Sequence, residues 1–199
     1  MNGQTKACEV RFAFVRHAMS VDNEAWLLGL PWPGIADAPL CGRGRQMLPG
    51  IVAILAEWRP ELIVTSPLRR CIDTAIAVAR TTATQVEVDY DLTETPHNEG
   101  DLPLPPDLLA KAQPSLIIRR QNAICFPEAF AEASTARLIR SLASRSERRI
   151  CLVGHRGWLM SFAGLDIENG ELICLKVEFE IGDLAKNSPM TITRIPRMW

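Results

Sequence analysis

The 199-residue chain is 47% hydrophobic, with 22 basic and 23 acidic side chains and a formal net charge of -1. That length holds one substantial core and points to a single domain over 1–199, while the balanced charge excludes capture of nucleic acid or an anionic membrane by net charge. No run approaches the roughly 18 apolar residues of a membrane span, so any attraction for anions must be local.

The first residues, Met1-Asn2-Gly3-Gln4-Thr5-Lys6-Ala7, lack the long apolar segment of a secretory leader, and a cytoplasmic setting is expected. Phe12-Ala13-Phe14-Val15 is apolar and predicts a strand over 11–15. The stretch that follows carries Pro31, Pro33, Gly34 and Pro39, interrupted by Trp26 and Trp32. It reads as a long loop, or a loop plus a short helix, of the kind that carries ligand contacts. Ile51, Ile54, Leu55 and Trp58 fall at helical spacing and predict a helix over 42–58, with Pro49 and Gly50 leaving its first turn open. Glu61-Leu62-Ile63-Val64 is a compact strand that exits through Thr65-Ser66-Pro67 into a helix over 68–80.

Val86-Glu87-Val88 predicts a short strand, and Pro96, Gly100, Pro103, Pro105 and Pro106 make 95–107 a loop. Pro127-Glu128 opens a helical pattern that continues through Ala133, Leu138, Ile139 and Leu142. Arg149-Ile150-Cys151-Leu152-Val153 is a strand, Gly154-His155 its exit, and Trp158-Leu159-Met160 the start of a helix. Strands over 172–179 and 190–195 are expected as antiparallel neighbours joined around Gly182-Asp183. Polar residues placed where strands hand over to helices build the sites of open α/β folds.

Arg16-His17 follows the first strand directly, so an imidazole and a guanidinium arrive together at its C-terminal end. That pair suggests an anion site with its own nucleophile. Other chemistries lack support. The cysteines at 8, 41, 71, 125, 151 and 174 form no CxxC pair, and Cys151 and Cys174 in apolar runs are expected to be buried, reduced thiols. His17, His97 and His155 have no metal-ligand spacing, Gly42-Arg43-Gly44 is not a dinucleotide motif, and Ser66 has no hydrolase-elbow flanks. Neither cofactor nor metal is expected. Arg145-Ser146-Glu147-Arg148-Arg149 is basic but leads into a buried strand, which makes it a solvated helix end.

Several segments, in order, resemble the histidine phosphatase superfamily, also called the phosphoglycerate mutase-like family. Arg16-His17 with Ser20 and Asn23 is similar to its Arg-His-Gly motif with downstream Ser and Asn, Ala18 standing at the Gly position. Leu40-Cys41-Gly42-Arg43-Gly44-Arg45-Gln46 resembles its Leu-Thr-x-x-Gly-x-x-Gln segment, with Cys41 in place of Thr and Gln46 one residue nearer the glycine. Ser66-Pro67-Leu68-Arg69-Arg70-Cys71-Ile72-Asp73-Thr74-Ala75 matches its Ser-x-Leu-x-Arg-x-x-x-Thr-Ala motif. Leu92-Thr93-Glu94 matches the element bearing the acid, and Val153-Gly154-His155 the second histidine, followed here by Arg156 where Gly is usual.

The resemblance implies a three-layer α/β/α sandwich with a mostly parallel central sheet and metal-independent phosphoryl transfer through a phosphohistidine. It makes His17 the nucleophile, Arg16 and Arg70 the phosphate clamps, His155 a second electrostatic contact and Glu94 the proton donor. Asn23 and Arg156 join Arg16, Arg70 and His155 as expected substrate contacts. The residue types suit that chemistry. Charge on a transferring phosphoryl group spreads over its nonbridging oxygens, so catalysis needs fixed positive charge and in-line placement. Arginine forks supply the first, and a neutral imidazole held through its other nitrogen supplies an attacking lone pair. A carboxylic acid protonates the departing alkoxide and then, as carboxylate, activates water.

Glu99 competes with Glu94 for the acid's role, and His97 is expected to face solvent or substrate. Trp26, Trp32, Arg119 and Arg120 are candidates for contact with a larger substrate group, against tryptophans closing a small core and arginines facing water. The expected function is a phosphatase acting on a small phosphomonoester. The alternatives are a phosphoglycerate-type mutase, which shares His17 and its neighbours, and a non-catalytic phospholigand-binding protein suggested by Ala18 and Arg156. The expected partner is a small phosphorylated substrate, with no nucleic acid and no membrane; a homodimer is an allowed assembly.

Overall fold

The computed structural model describes residues 7–94, 101–120, 129–180 and 191–195. Strand β1 (Ala7–Arg16) leads to the short helix α1 (Val21–Leu27), and α2 (Gly42–Trp58), β2 (Leu62–Thr65), α3 (Arg69–Thr82) and β3 (Val86–Asp89) follow. After a single 3-10 turn over Tyr90–Leu92 come α4 (Pro106–Ala112), β4 (Ile117–Arg120), α5 (Ala129–Ala143), β5 (Arg149–Gly154), α6 (Arg156–Ala163), β6 (Leu172–Glu180) and β7 (Thr191–Ile195).

These strands form one sheet in the order β4-β3-β2-β5-β1-β6-β7. The five from β4 to β1 pair in parallel, and β6 and β7 extend the β1 edge antiparallel. Parallel strands covered on both faces read as continuous apolar runs, which is why Leu62, Ile63, Val64 and Thr65 are all buried. Alternation along β1 separates the two faces. Val10, Phe12 and Phe14 pack with Leu138, Ile139 and Leu142 of α5 and with Trp158 and Leu159 of α6. Ala13 and Val15 pack with Ile51, Leu55 and Trp58 of α2 and with Cys71, Ala75 and Val78 of α3. The result is the expected three-layer α/β/α sandwich.

Three local expectations change. Strand β4 went unrecognised because it is a four-residue strand at the sheet edge that ends in Arg119 and Arg120. Helix α4 begins inside the expected loop, since Pro106 occupies its first turn, where a missing N–H costs nothing. Pro49 does not interrupt α2; it lies on the exposed side of the helix, where water serves the carbonyl that loses its donor. The turn at Gly182-Asp183, the helix start at Pro127-Glu128, His97, Glu99 and Cys125 lie outside the described residues. Cys151 and Cys174 are buried on β5 and β6, as expected.

The basic run ahead of β5 is paired internally rather than left as a cationic patch. Arg145 bonds Glu87 and Glu147, and Arg149 bonds Glu61.

Candidate active site

The C-terminal ends of β1, β2 and β5 are adjacent in the sheet, so His17, Ser66 and His155, which follow those strands, converge. The His17 backbone is pinned on both sides. Its N–H donates to the Gly154 carbonyl at 3.0 Å, and its carbonyl accepts from Asn169 Nδ2 at 3.1 Å and Gly170 N–H at 3.2 Å.

The partners of the His17 ring dictate its tautomer. Nδ1 lies 2.8 Å from the Ala18 carbonyl, which can only accept, so Nδ1 carries the proton. Arg70 Nε lies 3.3 Å from Nε2 and can only donate, so Nε2 presents its lone pair. Burial and the nearby Arg70 charge hold the imidazole pKa well below its ordinary value, with the Ala18 hydrogen bond opposing them. His17 is therefore a neutral imidazole with an unprotonated Nε2.

Arg70 occupies the second position of α3, where its carbonyl accepts from Thr74 Oγ1 at 2.7 Å. Thr74 Oγ1 also accepts from Ala18 N–H at 3.1 Å, which ties α3 to the loop after His17. Ala18 is buried and keeps a negative φ, so the backbone here makes no demand for glycine. Cys41 likewise replaces threonine without loss of the cap: its Sγ accepts from Gly44 N–H at 3.2 Å at the start of α2. The outer end of the Arg70 fork, Nη2, donates to Asp101 Oδ1 at 2.6 Å.

Arg16 donates from Nη1 to the Ile167 carbonyl at 2.9 Å, while its Nε is buried with no hydrogen-bond partner among the described residues. Burial lowers its pKa and the Glu168 carboxylate opposes the shift. It remains a cation.

His155 is buried beside His17, the ring centroids 5.1 Å apart at 62°. Its Nε2 lies 2.8 Å from Ser66 Oγ and 3.4 Å from Cys71 Sγ, which fixes the ring plane. Burial, then Arg70, then His17 push its pKa well below the ordinary value. The charged imidazole is therefore disfavoured in the empty site.

Glu94 reaches the site from the segment after β3. Its Oε2 accepts from Gly157 N–H at 3.2 Å. A Cβ at Gly157 would overlap Glu94 Oε1, so glycine at this position makes room for the carboxylate. Helix α6 is held in turn by Trp158, which stacks on Phe14 with centroids 5.2 Å apart and donates from Nε1 to the Asp91 carbonyl at 3.0 Å.

These groups line one cavity of about 530 Å³. It brings together Arg16, His17, Asn23, Arg70, Glu94, His155 and Arg156, the residues to which the family resemblance and the expected phosphate contacts pointed. Asn23 Oδ1 accepts from Ser20 N–H at 3.3 Å and Asn169 Nδ2 at 3.1 Å, which leaves its NH2 as the group it offers a ligand. Arg156 is exposed, and both arms of its guanidinium grip Asp166. Arg119 is not at the cavity; it pairs with Glu87 at 3.3 Å and donates to Ser141 at 3.1 Å. Trp26 lines the cavity and is 79% exposed, so it closes no core.

Asp22, Asp101 and Asn169 were not anticipated. Asp22 resembles an ordinary acidic residue in a helix first turn, and Asp101 sits in a proline-rich stretch with no marking neighbour. Asn169-Gly170 carries only a turn signal, which Gly170 uses with a φ of +73°. Among the described residues, no group of three or more His, Cys, Asp or Glu side chains is placed to hold a metal ion.

Fold and site together define a class: a doubly covered α/β protein with an oxyanion pocket built around a neutral histidine. The chain belongs to the histidine phosphatase superfamily, branch 1, whose profile matches residues 12–169. It is 34% identical over 85 residues to the glucosyl-3-phosphoglycerate phosphatase of Mycolicibacterium vanbaalenii, a match covering 43% of this chain and 36% of that protein's length. In fold it is similar to a mycobacterial glucosyl-3-phosphoglycerate phosphatase solved with VO3, at a TM-score of 0.62, 20% identity and coverage of 93% of this chain and 97% of that one. A phosphoglycerate mutase from Bacillus anthracis is equally similar, with a TM-score of 0.62, 16% identity and coverage of 96% and 95%.

Proposed function

We propose that the protein is a single-domain, metal-independent phosphatase that hydrolyses a small phosphomonoester through a phosphohistidine at His17. The observation that carries this reading is the unprotonated Nε2 of a buried neutral His17, whose lone pair accepts from Arg70 Nε at 3.3 Å and turns to phosphorus when the phosphoryl oxygens take that donor. Arg16, Arg70 and the Asn23 NH2 hold the phosphoryl oxygens, and His155 contributes a neutral dipole from beside His17.

Nε2 attacks phosphorus in line, the N–P bond forms as the ester P–O bond breaks, and Glu94 gives its proton to the departing oxygen. The Glu94 carboxylate then takes a proton from water, the water oxygen attacks phosphorus and the N–P bond breaks. Inorganic phosphate leaves, and Glu94 is again protonated. Two arginines at the reacting group supply the positive charge that a metal supplies elsewhere.

Water is the acceptor in this reading, rather than a hydroxyl of a retained bisphosphate. Of the three cavity arginines, Arg156 is bound by Asp166, while the Asp22 and Asp101 carboxylates lie in the lining with the other two. The reading also takes the protein as cytoplasmic and its ligand as a small phosphorylated molecule. Among the described residues no helix is long and apolar enough to cross a membrane. Self-association is read by sedimentation velocity.

Phosphate release from p-nitrophenyl phosphate in EDTA tests the proposal, together with intact-protein mass after quenching without acid. Wild type is expected to turn over and to trap a species heavier by one phosphoryl group. His17→Ala loses both and keeps its far-UV circular dichroism. Substantial turnover by folded H17A rejects His17 as nucleophile, and saturable binding without turnover by wild type identifies a phospholigand binder instead.

A further inference from the structure

Two exposed apolar side chains line the His17 cavity, and the chain segments that reach it carry more. Trp26, at the end of α1, and Met160, on α6, line it directly and are 79% and 46% exposed. Trp32, six residues beyond Trp26, is 41% exposed. Leu102, exposed as well, follows the lining residue Asp101. Between the tryptophans, Leu27, Leu28 and Leu30 are exposed too.

Single exposed apolar residues are ordinary on a protein surface, but a run of them leading away from a cavity-lining tryptophan marks a binding surface. The core does not account for this set, because Ala25 is the only residue of α1 that is buried. Nor does the mouth suit a second anion. Arg16 and Arg70 flank His17, Arg156 is taken by Asp166, and Asp22 and Asp101 add carboxylates to the cavity lining.

We propose that the substrate is a phosphomonoester whose alcohol part is an uncharged, extended hydrocarbon group laid across Trp26 and the Leu27–Trp32 shelf, in place of a sugar or a carboxylate-bearing alcohol. The proposal rests on the phosphatase reading of the cavity. A hydrocarbon covers the rim without placing charge beside Asp22 and Asp101. Its contribution is uniform binding, equal in ground and transition states, so a longer chain lowers KM and leaves kcat nearly constant.

The test separates the two readings. Calorimetric affinity for n-alkylphosphonates from ethyl to octyl, which have no ester bond to break, reads the inference without turnover. Acetyl phosphate hydrolysis reads the phosphatase activity without an alkyl group. Affinity is expected to rise about two- to fourfold per methylene until the shelf is covered, and Trp26→Ser and Leu28→Ser, at exposed positions, are each expected to reduce that increment. For n-alkyl phosphates the same increments should appear in KM. A flat chain-length series, or tighter binding of 2-carboxyethylphosphonate than of hexylphosphonate, overturns the inference whatever acetyl phosphate does. No acetyl phosphate turnover beside a steep phosphonate series retains the hydrocarbon site and removes the phosphatase.

Discussion

Replacing Gly157 with alanine perturbs proton transfer at a single atom pair. The new Cβ would overlap Glu94 Oε1 and lie 3.2 Å from its carboxyl carbon. The obstacle is the far end of a flexible side chain, so the carboxylate moves on the order of 1 Å to regain ordinary contact distance, and the helix stays. Alanine gains about 1 kcal/mol of helix propensity over glycine, which offsets rotamer strain of about 1 kcal/mol in the displaced Glu94. Net stability should therefore change by less than about 1 kcal/mol, a Tm shift within about 4 °C. Catalysis should change far more, since a misplacement of about 1 Å costs up to about 100-fold in rate and a positioned acid contributes at least about that much. Steady-state kinetics on an n-alkyl phosphate and on p-nitrophenyl phosphate form the assay. The expected loss in kcat/KM is about 10- to 100-fold for the alkyl ester and within about threefold for the nitrophenyl ester, whose leaving group departs unprotonated. Wild-type kinetics on the alkyl ester from folded G157A would refute the reasoning.

Glu94→Gln should reproduce that leaving-group dependence, and Glu99→Gln should not; a wild-type slope in E94Q with a selective loss in E99Q moves the acid to Glu99. Arg70→Lys keeps the charge but cannot both face His17 Nε2 and reach Asp101, so kcat/KM should fall by about 100-fold or more while Tm changes little; unchanged kinetics place Arg70 outside the phosphoryl site. Gly44→Ala drives a Cβ onto the Met19 carbonyl, a backbone atom that cannot swing aside, and should cost about 2–4 kcal/mol in urea denaturation, whereas Gly42→Ala, with nothing within 4 Å, should be neutral or better. His17 and His155 both have depressed pKa values in the fold, so below about pH 6.5 the unfolded chain binds more protons and stability falls, by about 1.4 kcal/mol per pH unit for each ring. Denaturation midpoints from pH 7 to 5 should show this slope, and His155→Gln should roughly halve it.

Much of the scaffold is legible locally. Four-residue apolar strands such as Leu62–Thr65 and helix stripes such as Ile51, Leu55 and Trp58 declare themselves because burial is periodic along the chain. Edges of that signal fail where a residue type has two meanings. Pro106 breaks helices and also begins them, and Arg119 and Arg120 conceal a strand in which the Arg119 charge is met by Glu87. The candidate site divides in the same way. His17, Arg70 and His155 are visible because each sits at a strand exit or helix start, and Glu94 because Leu92-Thr93-Glu94 resembles the family's acid-bearing element. What they do to one another depends on the parallel order β2-β5-β1, since that adjacency buries the two imidazoles together and sets the His17 tautomer through Ala18 and Arg70. Asp101 on Arg70, Asn169 on Asn23 and Gly157 against Glu94 are contacts between residues far apart in the chain, each silent in its own neighbourhood. Periodicity and turn chemistry act over a few residues, and so the sequence by itself determined the elements and the reactive groups. Distances, protonation and the apolar mouth around Trp26 come from long-range packing, and only the tertiary structure decided them.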